Sequence, residues 1–398
     1  MSLQGNGFTL AFTTCICMLG TQQLALSQHQ PSEKELKNIA TNEARHFGDA
    51  PDDPGPLATD LAYSTKPAAV AKAMHKVADW QLQRSQPFFD RIWTWSILYS
   101  GFMAASDSLN DPKYRDAMFA MSQKFGWQIR SHLPNADDQS VAQTYLELYL
   151  FKKDPAMILA TQTELDALLA APRGSAVTGK EIAWWWCDAL FMAPPVWSRM
   201  YAATGDRKYI TYLDEEWAKT SARLYDPKEH LYFRDSTYLT RTEASGKKMF
   251  WSRGNGWVMG GIIRTLKYLP KDDPARATYI AQLKEIAARI KELQGPDGLW
   301  KAGLLDPDDY DLPELSGSAF FTYALAAGVN AGILDRAVYR PVIEKAWAGM
   351  LHHVYADGRL GCIQQTGAEP EPFKASASYT YGVGAFLLAG SEIRQMRR

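Results

Sequence analysis

Three tryptophans run directly into an acid at Trp184-Trp185-Trp186-Cys187-Asp188, and the stretch continues Ala189-Leu190-Phe191-Met192-Ala193-Pro194-Pro195. If the segment is helical around Asp188, then Trp184, Trp185, Phe191 and Met192 share its face. Burial against aromatic surface disfavours the charged carboxylate, raises its pKa and suits it to donate a proton near neutral pH. Aromatic faces are also what sugar rings stack on. The plainer alternative is that Asp188 only caps a helix beginning at Ala189, since aspartate is a favoured N-cap. Pro194-Pro195 makes any helix here kink or restart. A carboxylate at such a break is readily aimed into a cavity.

A second acidic stretch, Asn135-Ala136-Asp137-Asp138-Gln139, also precedes a helix. Adjacent carboxylates repel at close range, so one is expected to face solvent or cap the helix while the other enters a cavity. Acid/base work on a glycosidic or enol-ether carbon needs two placed carboxyl groups, or one and a water. A third stretch, Phe250-Trp251-Ser252-Arg253-Gly254-Asn255-Gly256-Trp257, sets a planar cationic fork between two indoles, with glycines that let the backbone turn tightly before the next helix. Its plainer alternative is a structural turn with Arg253 paired to an acid. Arg234-Asp235-Ser236-Thr237-Tyr238 places another basic group on a loop.

The seven histidines are scattered, and His352 and His353 face different sides of a helix. There is no phosphate-binding glycine loop, nucleophile elbow or dinucleotide fingerprint in the sequence. The expected chemistry is carboxylate and water, with no cofactor and no metal.

The elements that must hold these residues are helices. The chain has 398 residues, a net charge of −1, thirteen Trp and nineteen Tyr, which gives no footprint for nucleic acid and fits either a carbohydrate-facing cleft or a large helical core. Residues 1–27 read as a secretory signal peptide: an apolar run from Phe8 to Gly20, then Ala25-Leu26-Ser27 as the cleavage site, without a basic residue before the run. The run is too short for a transmembrane span, so export to periplasm or extracellular space is expected, with no membrane span in the mature chain. With the leader go Cys15 and Cys17, leaving Cys187 and Cys362, too few for a disulfide framework.

Residues 28–66 read as an irregular N-terminal arm, and 67–398 as a single domain. Apolar periodicity predicts helices near 67–83, 93–107, 112–130, 139–151, 155–170, 189–203, 207–223, 256–269, 274–293, 316–330, 336–354 and 380–395. Turn-and-restart signals recur at Asp111, Asp154, Asp206, Asp273 and Asp335. A second series, Asp226, Asp297 and Asp357, each precedes a short extended piece in step with the first. The later chain therefore consists of helix pairs of about 65 residues. Six such pairs favour an all-α (α/α)6 barrel with short strand-like pieces at one rim; an open solenoid is the alternative.

With these motifs the chain, from about residue 65 to 395, resembles the family 105 glycoside hydrolases, the unsaturated rhamnogalacturonyl hydrolases, and more distantly the family 88 unsaturated glucuronyl hydrolases. Trp186-Cys187-Asp188-Ala189-Leu190-Phe191-Met192-Ala193 looks like the family's aspartate motif, and Trp251-Ser252-Arg253-Gly254-Asn255-Gly256-Trp257 like its Trp-x-Arg-Gly-x-Gly-Trp segment. Asp137-Asp138 with Gln143-Thr144-Tyr145, Ser316-Gly317-Ser318-Ala319 and Tyr381-Gly382-Val383-Gly384-Ala385-Phe386 are similar to further family segments. The resemblance independently implies an (α/α)6 barrel. It also implies an oligosaccharide substrate whose non-reducing end is a 4,5-unsaturated uronic acid, hydrated at its double bond. Asp188 would protonate C4. Asp138, in preference to Asp137, would take the second carboxylate role. Trp186, Trp251 and Trp257 would stack on the sugar, with Trp95 as a further contact, and Arg253 would bind polar substituents. Where some relatives carry histidine this chain has Arg234, which suggests a more anionic, for instance sulfated, substrate. A conventional inverting glycosidase using Asp188 and Asp138, a non-catalytic sugar-binding protein, and an epimerase using His230 or His132 are the competing readings.

Overall fold

The computed structural model describes residues 47–130, 134–171 and 182–396, all within one compact unit, Ala44–Arg398. The expected leader at 1–27, residues 28–46 of the arm, and His132 lie outside the described residues.

In chain order the helices are α1 (Pro67–Ser85), α2 (Trp93–Leu109), α3 (Pro112–Lys124), α4 (Ala136–Gln139), α5 (Ala142–Lys152), α6 (Leu159–Ala170) and α7 (Ala189–Met192). They continue with α8 (Pro194–Thr204), α9 (Lys208–Leu224), α10 (Ser252–Leu266), α11 (Arg276–Glu292), α12 (Leu315–Asn330), α13 (Arg336–Leu351) and α14 (Thr380–Gln395). Setting aside the four-residue α4 and α7, the helices alternate in burial. Helices α2, α5, α8, α10, α12 and α14 are apolar on most sides, and every residue of α10 is buried. Each is followed or preceded by an amphipathic partner from α1, α3, α6, α9, α11 and α13, which buries one stripe and leaves the other wet.

The buried helices close on themselves: α2 packs on α5, α5 on α8, α8 on α10, α10 on α12, α12 on α14, and α14 back on α2. This is the (α/α)6 ring, and its closure removes the open solenoid. At the α14–α2 junction two glycines let the backbones touch. A Cβ on Gly101 would lie 2.7 Å from Gly384 Cα, and one on Gly384 would lie 2.3 Å from Ile97 O.

At one mouth the recurrent aspartates turn each inner helix into its outer partner. Asp111, Asp154, Asp206, Asp273 and Asp335 each accept from the backbone N–H two residues on, at 2.7 to 3.2 Å. This mouth holds a cavity of about 360 Å³, whose lining includes Glu147, Arg199, Arg264, Lys267 and Arg394. Cations there offset the carbonyl ends of the inner helices.

At the opposite mouth the inner helices begin, and the returning chain supplies short extended pieces. Strand β1 (Gly48–Asp49) pairs antiparallel with β4 (Ser378–Tyr379), and β2 (Tyr225–Asp226) with β3 (Leu231–Tyr232). Isolated bridges join Trp186 to Asp235 and Trp251 to Gly303. The turn aspartates of the second series cap these pieces, Asp226 to Lys228 N, Asp297 to Leu299 N and Asp357 to Arg359 N. No described helix is long and apolar enough to cross a membrane.

Several expected boundaries move, among them the helix expected over 112–130, which ends at Lys124. The helix expected over 189–203 is split at Ala193 into α7 and α8, because Pro194 and Pro195 donate no hydrogen bonds. The helix expected from 256 starts at Ser252, so Gly254 and Gly256 lie inside α10 rather than in a turn. They are small for packing: a Cβ on Gly256 would sit 2.9 Å from Phe320 Cβ, and one on Gly254 would sit 3.1 Å from Cys187 Sγ.

Candidate active site

The stretch Trp184 to Cys187 is not helical: Trp186 bridges Asp235 and the Cys187 N–H donates to Arg234 O at 2.8 Å. The face-sharing expected of a helix therefore fails. Trp184 turns away to pack edge-on against Tyr212, 5.9 Å between ring centres. Asp188 occupies the N-cap position of α7, yet its side chain makes no capping bond, so capping is not its occupation. The carboxyl is instead held among side chains. Its Oδ2 accepts the Cys187 thiol at 3.4 Å and lies 3.8 Å from Arg234 Nε. Burial pushes the Asp188 carboxyl above its ordinary range, and the Arg234 charge, its own N–H and the Cys187 thiol pull against that rise.

The neighbouring acid is Asp137. Asn135 caps α4 by accepting the Asp137 N–H at 2.9 Å, and this single helical turn sends consecutive side chains to different places. Asp138 turns to Arg130, with 3.5 Å between Oδ1 and Nε. Gln139 enters the core to accept the Trp197 indole N–H at 2.9 Å. Asp137 faces the charge of Asp188, and its carboxyl is pushed up to about 7 by burial first, then by Asp188 and Asp138, against the pull of Arg234 and Arg130. Asp138 is the expected partner of Asp188, but its carboxyl pairs with Arg130, and Asp137 is the acid whose carboxyl burial first and the Asp188 charge second push up.

Arg234 sits where three groups meet. Its Nη1 donates to Asp235 Oδ2 at 2.6 Å, its guanidinium lies 5.5 Å over the Trp185 ring, and its buried Nε has no hydrogen-bond partner. Burial works against its charge, and Asp188 and Asp235 more than restore it. With two carboxylates facing it, Arg234 is a counter-ion to the acid.

The remaining expected contacts divide sharply. Arg253 is fully buried, and its Nη1 and Nη2 donate to the carbonyls of Gln364 and Gln365 at 2.8 and 2.7 Å. Its guanidinium lies 4.2 Å over Trp251 and 4.9 Å over Tyr381, and 3.8 Å from Glu314. It is a clamp on the 364–365 loop, correcting the expectation of a substrate fork. Trp251 shares that work, its indole donating to Gln364 Oε1 at 2.8 Å. Trp257 is enclosed by Phe320 and Phe191 at 4.3 and 5.1 Å, and Trp95 by Phe89 at 5.8 Å; neither presents a face to a sugar. Trp186 remains at the site, 4.7 Å from Trp185.

Trp185, expected on the face of Asp188, and Trp93, which the sequence left unassigned, are only partly buried. Trp93 stacks on Tyr381 at 5.4 Å. His230 is occupied by Tyr225 Oη at 3.0 Å. Cys187 and Cys362 are both buried and free. Among the described residues no group of three His, Cys, Asp or Glu side chains is placed to hold a metal ion.

Comparison with known proteins places this geometry. Residues 63–397 match the model of Glycosyl Hydrolase Family 88. The chain is 39% identical over 340 residues to a Formosa agariphila protein named unsaturated 3S-rhamnoglycuronyl hydrolase, a match covering 81% of this chain and 90% of that one. It is 35% identical over 319 residues to a protein of the same name from an Alteromonas species, covering 76% and 77%. A solved structure of a glycosyl hydrolase family 88 protein from Bacteroides vulgatus superposes with a TM-score of 0.78 at 28% identity, over 83% of this chain and 100% of that one. A closed ring of six helical hairpins, matched by the family model across nearly its whole described length, makes this chain an enzyme and a member of glycosyl hydrolase family 88.

Proposed function

We propose that the enzyme removes a 4,5-unsaturated uronic acid from the non-reducing end of oligosaccharides left by polysaccharide lyases, by hydrating the C4=C5 double bond. The observation that supports this most is the pair of part-buried acids, Asp188 pushed up by burial and Asp137 pushed up to about 7, with Arg234 3.8 Å from Asp188. Protonating a vinyl ether carbon needs a carboxylic acid still neutral near physiological pH.

Asp188 delivers its proton to C4, and the positive charge that develops at C5 spreads onto the ring oxygen. Arg234, 3.8 Å away, stabilises the carboxylate that Asp188 becomes. Water adds at C5 and its proton passes to Asp137. The pair therefore ends with one proton, as it began, and the proton has only to return to Asp188. The C5 hemiketal opens, C1 becomes an aldehyde, and the remaining sugar chain leaves with a hydroxyl. One water is consumed. Trp186, with Trp185 beside it, supplies the aromatic surface next to the acid.

The two named relatives support a rhamnose next to the uronic acid. Export through the 1–27 leader fits an enzyme that meets fragments of an extracellular polymer.

The test follows the ultraviolet absorbance of the conjugated uronate with unsaturated rhamnose-containing disaccharides, wild type beside Asp188→Asn. Wild type is expected to abolish the absorbance and the variant to leave it, with saturated counterparts untouched. Release from a saturated substrate would overturn hydration in favour of direct displacement.

A further inference from the structure

Pro194 and Pro195 carry no backbone N–H, so the carbonyls four residues earlier, on Leu190 and Phe191, lose their helical donors. Both residues are buried in the ring. The Leu190 carbonyl is pressed against α10 at Gly261, where a Cβ would lie 2.0 Å from the oxygen. The Phe191 carbonyl is met by a side chain from α5: Gln143 Nε2 donates to it at 2.8 Å and reaches Met192 O at 3.4 Å. The other end of the Gln143 amide is fixed as well. Its Oε1 accepts Arg264 Nε at 2.7 Å, and Arg264 donates to Ser100 Oγ at 3.1 Å and Glu147 Oε1 at 2.9 Å. With a guanidinium on its oxygen, the amide must turn its NH₂ toward the carbonyls.

This bond sits three residues from the acid. The Phe191 N–H donates to Asp188 O at 3.0 Å while the Phe191 C=O is held by Gln143. A four-residue helix makes too few internal bonds to fix its own axis. The direction of α7, and of the carboxyl at its start, therefore depends on what grips it from outside.

We propose that Gln143 is a positioning residue for Asp188: its amide replaces the donor that Pro195 lacks and sets the angle at which α7 presents the acid to Asp137 and Arg234. This rests on the reading of Asp188 as the proton donor. It assigns Gln143 a role in the reaction without contact with substrate.

The decisive variant is Gln143→Glu, which can still accept from Arg264 but has no N–H for Phe191 O. The expected result is a kcat about 10- to 100-fold lower, as for a misplaced reacting group, with KM within about twofold of wild type. As Asp188 swings from Asp137 their mutual repulsion falls, so the alkaline limb of the kcat profile moves to lower pH. Adding Pro195→Ala gives the Phe191 carbonyl a backbone donor again, and the double variant should recover most of the kcat. Gln143→Leu, which removes both bonds, should show the same kinetic pattern in whatever fraction folds.

A merely structural Gln143 would lower the melting temperature and leave kcat of the folded protein, KM and pH profile unchanged; that outcome overturns the proposal. Failure of the Pro195→Ala rescue, with the protein folded, also counts against it. Asp188→Asn run alongside separates the two ideas. If Asp188→Asn stays active, the acid assignment fails. If it is inactive and Gln143→Glu behaves as wild type, only the positioning role fails.

Discussion

Replacing Arg234 by methionine removes the cation beside Asp188 while keeping a long apolar side chain over Trp185. At 3.8 Å, two unit charges at an effective dielectric constant of about 20 interact by about 4 kcal/mol. Asp235 lies on the same guanidinium at 2.6 Å and opposes part of that field at Asp188, which leaves about half, or about 2 kcal/mol. At 1.36 kcal/mol per unit this is about 1.5 pKa units. The cation lowers both acids, so its removal raises both. The active pair holds one proton and activity is lost as pH rises through its upper pKa. In Arg234→Met the alkaline limb should therefore move upward by about 1 to 1.5 pH units. At the same time the carboxylate formed on proton donation loses its counter-ion, and the plateau kcat should fall by about tenfold or more. Initial rates of absorbance loss across pH, for wild type, Arg234→Met and Arg234→Lys, measure both effects, with the lysine variant in between. A limb that stays in place, or moves to lower pH, would refute the electrostatic assignment of Arg234.

Arg253→Met should unfold more easily by about 3 to 5 kcal/mol, because Glu314 keeps its buried charge and two loop carbonyls lose their donors; denaturant melts check this, and an unchanged stability with a raised KM would restore Arg253 as a substrate contact. Gly261→Ala should destabilise by about 1 to 3 kcal/mol or more and depress kcat together, since the added Cβ can be relieved only by moving the Leu190 carbonyl and α7 with it. Asp137→Asn should abolish or cripple turnover yet stabilise the fold, and more so at high pH. The folded-state pKa of Asp137, about 7, lies above its ordinary 3.8, so the native state holds a proton that the unfolded chain releases. That contribution is complete at low pH and is lost as pH rises through about 7, leaving a buried charge. Melting temperatures of the variant and wild type should diverge as pH rises from about 4 to about 7 and stay a constant distance apart above that. Parallel curves would mean that Asp137 is not perturbed.

The ring was legible because its information is local and repeated. Five aspartates with the same backbone bond mark five turns, and the apolar text of α12 and α14 against the one-sided text of α9 separates inner from outer helices. Asp188 stands out in the sequence because aromatic density beside a carboxylate is rare, and the structure places it buried beside Arg234. The failures share a cause. An inner helix is apolar all round, so its sequence does not say which indole faces the axis, and Trp257 and Trp95 look like platforms while serving as core. Arg253 looks free until the loop at 364–365, more than a hundred positions away, is brought to it. Asp137 and Asp138 are told apart by Arg130, eight positions upstream on a non-helical stretch, and Trp186 bridges Asp235, which lies outside any local window.

The groups assigned to chemistry all lie where regular structure is interrupted: Asp137 on one turn of helix, Asp188 at the start of another, Arg234 on the loop after β3. The reason is geometric. A first-turn side chain of a long inner helix leans toward the mouth, but it is locked in a packed ring, as Arg253 shows. A single turn flanked by prolines can be tilted independently of the ring, at the cost of carbonyls that need outside donors. Beneath it, Phe191, Trp257 and Phe320 pack between α7, α10 and α12 and keep water from the underside of the acid. That apolar floor raises the pKa of Asp188, and the polar layer beneath it, Gln143 with Arg264 and Glu147, holds the turn that carries it. The acid's strength and its aim therefore have separate sources, which is why variants of Arg234 should move the pH profile upward and variants of Gln143 should move it downward.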